Sequence, residues 1–153
     1  MQEATSPTAN TGPLQGLRIV EMGQLIAGPF CGQLLGDMGA DVVKIEPPGA
    51  GDPLRQWRLM KDGTSVWWQV QSRNKKSVAL NLKDARARDI VHRLAEKSDV
   101  VVENLRAGTM DRWGIGYRQL REKNPGLVYA ANSGFGQWGP YAKGRASYDA
   151  TAQ

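Results

Sequence analysis

Basic side chains gather at intervals along this chain: Arg55, Arg58 and Lys61; Arg73, Lys75 and Lys76; Lys83; Arg106 and Arg112; Lys143 and Arg145. Guanidinium and ammonium groups suit phosphate and pyrophosphate oxygens, and each group falls in a stretch expected at a strand end. Singly, each is a solvated surface charge; as a set they point to an anionic nucleotide. Gly28, Gly32 and Gly36 form a bare ridge at helical spacing, which lets a helix pack closely on a sheet or on a ligand. Gly28 also sits at a strand-to-helix turn, where backbone N–H groups favour anions. Trp57, Trp67, Trp68, Trp113 and Trp138 could stack on bases or cover an adenine; Trp67 and Trp68 read as core or subunit interface, and Trp138 stays open.

Other chemistries are poorly supplied. Cys31 and His92 are each the sole residue of their type. No intrachain disulfide can form, and no structural zinc site is expected. Cys31 lies near a helix start, where a lowered pKa could make a nucleophile; without a second basic partner it reads as a small buried hydrophobe. His92, two residues after Ile90 and off the apolar stripe, reads as a solvated helix residue, so Ser-His-Asp and Cys-His arrangements are disfavoured. The loop Met22 to Pro29 lacks the G-x-G-x-x-G spacing of a dinucleotide site.

These residues need a scaffold, and the pattern supplies one. Leu17 to Met22 has strand length, Phe30 to Met38 is helix-like, Gly39 stands where a helix C-cap belongs, and Val42 to Ile45 is a β-branched second strand. Pro47 to Pro53 is a loop. Ser65 to Ser72 predicts a short helix with Val66, Trp67 and Val70 on one face; Ser77 to Leu82 alternates as a strand. Asp84 caps a helix to Lys97 that places Ile90, Val91 and Leu94 together. Asp99 to Val102 and Leu127 to Ala131 are further strands, with short helices at Thr109 to Trp113 and Arg118 to Lys123. Five strands alternating with helices predict an α/β fold, an open Rossmann-like, mostly parallel sheet with flanking helices, whose ligands sit at the carboxyl ends of the strands.

The 153 residues, 41% hydrophobic and 23% charged, suit one domain over residues 13–153, with residues 1–12 a disordered tail lacking signal-peptide features. No stretch approaches the ~18 apolar residues of a spanning helix, so a cytoplasmic protein without membrane contact is expected. A net charge of +5 fits an anionic partner; no nucleic-acid motif accompanies it, so nucleic acid is not the expected one. Tyr148 to Gln153 reads as a helix with no stop signal, an expectation that the sequence continues.

Five short motifs, Ala27-Gly28-Pro29, Gly39-Ala40-Asp41-Val42-Val43-Lys44-Ile45-Glu46, Asn74-Lys75-Lys76-Ser77, Val102-Glu103-Asn104 and Ser133-Gly134-Phe135-Gly136, stand in the order and spacing of the family III CoA-transferases. The chain resembles that family over about Pro13 to Gln153. The resemblance implies the amino-terminal part of an interlocked-dimer fold that binds coenzyme A as a substrate, with no permanently held cofactor. It implies Ala27 and Gly28 at the pantetheine or thioester end, and Leu80, Asn81 and Lys83 near the nucleotide. Asn104, Leu105 and Arg106, with Arg112, match another CoA-contacting stretch, and Tyr148 and Asp149 a pocket-lining pair.

The chemistry so implied moves CoA from an acyl-CoA to a carboxylic acid through an aspartyl-CoA intermediate. The matching Asp is expected beyond Gln153, leaving no catalytic residue in this chain; Gln24 is a candidate auxiliary group near the thioester carbonyl, with a plain loop role as its alternative. Racemase relatives carry a His before the Asp where this chain has Tyr148-Asp149, which disfavours racemisation. Formyl-CoA transferases carry a Gln where Ile26 stands, which weakens an oxalate or formate assignment. The alternative reading is a non-catalytic or truncated CoA- or nucleotide-binding module.

Overall fold

The computed structural model describes residues 11–142 together with Arg145 and Ser147. The β-branched runs form parallel strands β1 (Arg18–Glu21), β2 (Asp41–Glu46), β5 (Lys75–Ala79), β6 (Val100–Glu103) and β7 (Val128–Ala131). They join in the order β5-β2-β1-β6-β7, and all four pairings are parallel. Central strands of such a sheet are covered on both faces, so continuous apolar runs are what they require. Among the described residues no helix is long and apolar enough to cross a membrane.

Helix α1 (Ala27–Asp37) follows β1, and Gly39 ends its turn with φ of +101°. That left-handed conformation and the approach of the Gly12 Cα suit a residue without a side chain. The helix starts three residues before the expected Phe30, because Gly28 and Pro29 are tolerated in a first turn. α2 (Val66–Gln71) is capped by Ser65, whose Oγ accepts from the Trp68 N–H. Its buried face is Trp68 and Gln71, not the expected Val66, Trp67 and Val70 set; Val70 is 43% exposed. α3 (Ala85–Ala95) begins at Asp84 as expected, and α4 (Thr109–Arg112) and α5 (Tyr117–Arg121) are single turns.

Two differences reshape the middle of the chain. β5 begins at Lys75, not Ser77, because pairing with Val42 to Glu46 sets its register; Leu80 and Asn81 thereby leave the strand for the loop beyond it. A two-residue-strand hairpin, β3 (Met60–Lys61) and β4 (Thr64–Ser65), was not expected. Its turn is Asp62-Gly63, both at positive φ, which is the chemistry a tight hairpin needs. The expected helix at Tyr148 to Gln153 lies outside the described residues, as does most of the expected tail.

The sheet's two faces differ. One packs Val20, Met22, Ile45 and Val101 against Val91, Ala95, Met110, Ile115, Leu120 and Leu127. The other, beneath α1, is apolar at its amino half, where Ile19 and Val42 meet Cys31 and Leu35. Towards the carboxyl ends it turns charged, with Glu21 and Lys44 side by side in the ladder and Glu46 beyond them.

Candidate functional site

Helices after β1 and after β6 lie on opposite faces of the sheet, so the carboxyl ends of these neighbouring strands diverge into a crevice, the place where open α/β sheets hold ligands. One side chain closes its floor. Asn104, just past β6, accepts the Gln24 N–H at 2.7 Å and donates to the Gln24 carbonyl at 2.9 Å. It fits there because Gly23 and Gly28 have no Cβ: one built on either would stand about 3 Å or less from its Oδ1.

Above this clamp an open cavity of about 170 Å³ runs along the strand ends. Gln24, Leu80, Asn81, Lys83 and Leu105, expected from sequence, share its lining with Met22, Ile45, Pro47, Leu82 and Trp113. Leu80 is anchored by its N–H on the Glu46 carbonyl, and Asn81 turns the next loop by accepting the Lys83 N–H. Lys83 is exposed and makes no ion pair among the described residues.

The remaining expected residues stand outside that lining. Ala27 opens α1, and Gly28 is buried behind it against Gly23 and Asn104. Arg106 is exposed in the loop after β6, and Arg112, on α4, donates to the Thr109 hydroxyl. Tyr148 and Asp149 lie outside the described residues.

Below the segment Gly23 to Pro29, which runs into the first turn of α1, lies a cluster that sequence reasoning did not assemble. Lys44, 1% exposed, reaches Glu21 at 2.8 Å, Asp52 at 2.9 Å and the Gly23 carbonyl at 2.8 Å. Lys75 reaches the other Glu21 oxygen at 2.7 Å and the Pro29 carbonyl at 2.6 Å. Asp52 Oδ1 accepts the N–H groups of Leu25 and Leu54. Burial outweighs Glu21 in setting the Lys75 pKa, which is lowered.

The cluster continues at Glu46, which takes a two-point ion pair from Arg55 and hydrogen bonds from the Ser77 hydroxyl and the Asp52 N–H. Burial alone would raise its carboxyl; the Arg55, Ser77 and Asp52 donors together prevail and hold it at about 2. Arg55 in turn lies 4.0 Å from the Trp68 ring centre. The signal for this cluster was in the strands: charged residues at Glu21, Lys44 and Glu46 of doubly covered strands must be paired.

This pairing corrects the expected anion-binding set. Arg55 and Lys75 serve Glu46 and Glu21, Arg73 pairs with Asp37, and Lys76 pairs with Asp41. With β5 starting at Lys75, Arg73, Lys75 and Lys76 also stand at its amino end. Among the cavity's lining residues, Lys83 is the one basic side chain.

Three other groups find their places. Burial and the nearby Glu21 push the Cys31 thiol up, which fits a packing role. His92 is half-buried, and its Nε2 meets the Gly114 carbonyl at 2.9 Å, so it ties α3 to the loop after α4 in place of the expected solvated role. Trp138, left open from sequence, is 84% exposed. Among the described residues no group of three or more His, Cys, Asp and Glu side chains could hold a metal ion.

The family model for CoA-transferase family III matches residues 14–153. Succinyl-CoA–D-citramalate CoA-transferase of Chloroflexus aurantiacus is 50% identical over 130 residues, covering 84% of this chain and 32% of that protein. Human succinyl-CoA:glutarate CoA-transferase is 43% identical over 144 residues, covering 94% and 33%. The crystal structure of a CAIB/BAIF family protein from Brucella suis superposes with a TM-score of 0.84 at 39% identity, covering 92% of this chain and 38% of that one. The chain thus spans about a third of the length of the curated relatives it matches.

Proposed function

The chain belongs to CoA-transferase family III, and from that premise we propose that it is the CoA-binding, amino-terminal part of an enzyme that moves CoA from an acyl-CoA thioester to a carboxylic acid. The observation that carries this reading is the cavity at the strand ends, which gathers Gln24, Leu80, Asn81, Lys83 and Leu105 from three separate segments. Lys83 on its rim suits a CoA phosphate, Leu80, Leu82, Leu105 and Trp113 suit the adenine or pantetheine, and Gln24 suits the thioester carbonyl. Ala27 and Gly28 border the thioester end, Asn104 holds the loop before them, and Arg106 and Arg112 are further candidates for the CoA phosphates; Tyr148 and Asp149 stay candidates by motif alone.

In this mechanism an Asp carboxylate outside the chain attacks the donor thioester, expelling the CoA thiolate and leaving a mixed anhydride. The thiolate returns to the aspartyl carbonyl, releasing the donor acid and leaving an aspartyl-CoA thioester. The acceptor carboxylate then runs the same two steps in reverse and departs with CoA. One carboxylate enters for each that leaves, so no net proton is consumed and no resident cofactor is needed. Succinyl-CoA, the donor in the names of both relatives above, is the first donor to try.

The protein is proposed to act in the cytoplasm as a homodimer. Ile26, Phe30, Leu34 and Met38 support the second part, since they recur every four residues along α1 and its two caps and are 40–48% exposed, an apolar stripe suited to a subunit contact. Light scattering on the full-length protein is expected to give twice the chain mass.

The deciding experiment follows labelled succinate into succinyl-CoA with full-length protein. Exchange that disappears when the nucleophilic Asp becomes Ala, with Lys83→Glu weakening CoA binding about tenfold, is the expected result. Exchange that survives loss of the Asp overturns the mechanism; CoA binding without exchange leaves a binding module.

A further inference from the structure

We propose that the buried cluster of Glu21, Lys44, Asp52 and Lys75 is a positioning device that fixes the backbone from Gly23 into the first turn of α1 and so aims Gln24 at the thioester of a bound acyl-CoA. The proposal rests on the transferase reading for its substrate, and on geometry for the rest.

Three of the four buried charges hold one backbone group each between Gly23 and the first turn of α1. Lys44 takes the Gly23 carbonyl at 2.8 Å, Asp52 the Leu25 N–H at 3.1 Å and Lys75 the Pro29 carbonyl at 2.6 Å. Glu21 ties the two lysines together through its two oxygens. Asn104 adds both backbone groups of Gln24. Five backbone groups across seven residues are therefore fixed from four other segments.

The loop needs such restraint. Leu25 has φ of +61°, a left-handed conformation that is unfavourable for a branched side chain and persists only where its surroundings impose it. That turn separates Gln24, which lines the cavity, from the start of α1.

Stability alone gives no reason for the arrangement. Four charged groups under a helix cost desolvation that well-packed apolar residues avoid, and such replacements are often stabilising. α1 even keeps a glycine for the cluster's sake: a Cβ on Gly32 would run into the Glu21 carboxylate. A chain that gives up apolar packing at this point obtains a single loop conformation in return. The four residues act through the loop and touch no reacting atom.

The test uses the full-length protein with succinyl-CoA and an acceptor acid, and the variants Lys75→Met and Lys75→Arg. Lys75→Met keeps the Lys44–Glu21 and Lys44–Asp52 pairs and removes the grip on Pro29. The expected result is a fall in kcat of about 10- to 100-fold, KM for succinyl-CoA within about threefold, and substantial rescue by Lys75→Arg. Amide exchange at Gln24 and Leu25 should quicken at least about tenfold while α3 amides keep their protection.

Unchanged kcat and unchanged loop exchange would overturn the proposal, and so would a uniform loss of protection through α3. Should Lys75→Met fail to fold, Asp52→Ala, which removes the acceptor of the Leu25 N–H, should shift the same readouts in the same direction. A wild-type protein that transfers no CoA removes the transferase reading; loop exchange in the variants still decides the positioning role.

Discussion

Two glutamates end neighbouring regions of one sheet and meet opposite fates. Glu46 points to the α1 face, where Arg55, Ser77 and the Asp52 N–H surround it and hold its carboxyl at about 2 despite burial. Glu103 points to the apolar face; burial pushes its carboxyl up to about 7, the Leu105 N–H opposes that, and Asp111 adds to it. The same side chain, nearly buried in both places, is kept charged on one face and driven toward neutrality on the other. The α1 face is organised by charge and the α3 face by apolar packing, and the loop beside the cavity is hung from the charged one.

The largest expected effect tests how tightly that charged face is coupled. Glu21→Gln leaves two buried ammonium groups facing Asp52 alone, and breaking a buried pair in this way costs about 3–5 kcal/mol. Leu120→Ala, the comparison on the apolar face, should cost about 3 kcal/mol. Urea unfolding measures both. A Glu21→Gln cost below about 1 kcal/mol would mean that water reaches the cluster and that the two faces do not differ in kind.

The glutamates themselves give the next effect, with opposite signs. Glu46 has a folded value below its ordinary 4.5, so its contribution is present above pH 4.5 and is lost as pH falls toward 2. Glu103 has a folded value above 4.5, so its contribution is present below pH 4.5 and is lost as pH rises toward 7. Each difference corresponds to roughly 3 kcal/mol. At pH 8, Glu46→Gln should therefore destabilise by about 2–3 kcal/mol, whereas Glu103→Gln, which retains an acceptor for the Leu105 N–H, should stabilise. Stability measured from pH 3 to 8 checks both limbs; matching signs would break the comparison.

The apolar face was the legible one. The β-branched runs at Ile19-Val20, Val42-Val43 and Val100 to Val102 became strands within a residue or two, and Asp84 began its helix and Gly39 ended one as their types require. The β5 register was misplaced because Lys75 and Lys76 look unlike strand residues until Val42 and Val43 pair with them. The Asp62-Gly63 turn signal was present, but strands of two residues leave no periodicity to read.

Motif resemblance singled out Leu80, Asn81, Lys83 and Leu105, which share one cavity with Gln24. It could not show that Arg55 and Lys75 are committed to Glu46 and Glu21, since partners 9 and 54 positions away in sequence meet only through the sheet and its crossovers. The glycine ridge was visible, yet its reason lay in a carboxylate eleven residues earlier.

That ridge sharpens the comparison at a smaller scale. Gly32→Ala places a methyl group on the Glu21 carboxylate, which two lysines hold in place, so about 2 kcal/mol should be lost. Gly36→Ala meets Asn74 and Val42 atoms at 3.4–3.5 Å, ordinary contact distance, and should be tolerated because alanine favours the helix. Thermal unfolding of the two variants separates the arms. If both lose stability equally, the ridge serves general helix-to-sheet closeness and owes nothing to the ion cluster.

The smallest effect isolates burial from charge. Lys76 pairs with Asp41 at 2.7 Å, the same length as the Lys75–Glu21 pair one residue away, but its partners are 70% and 40% exposed where the buried pair is 2% and 0%. In water the Coulomb attraction is weak and the side-chain entropy of two mobile groups opposes it, so Lys76→Ala should change stability by no more than about 0.5 kcal/mol. Addition of 0.5 M salt should erase even that, while the Lys75→Met effect persists, because screening acts on exposed charges and hardly reaches a pair beneath α1. Two adjacent lysines with equally short ion pairs then differ in their salt response. If they respond alike, burial is not what makes the cluster rigid, and the loop above it is held by its neutral hydrogen bonds alone.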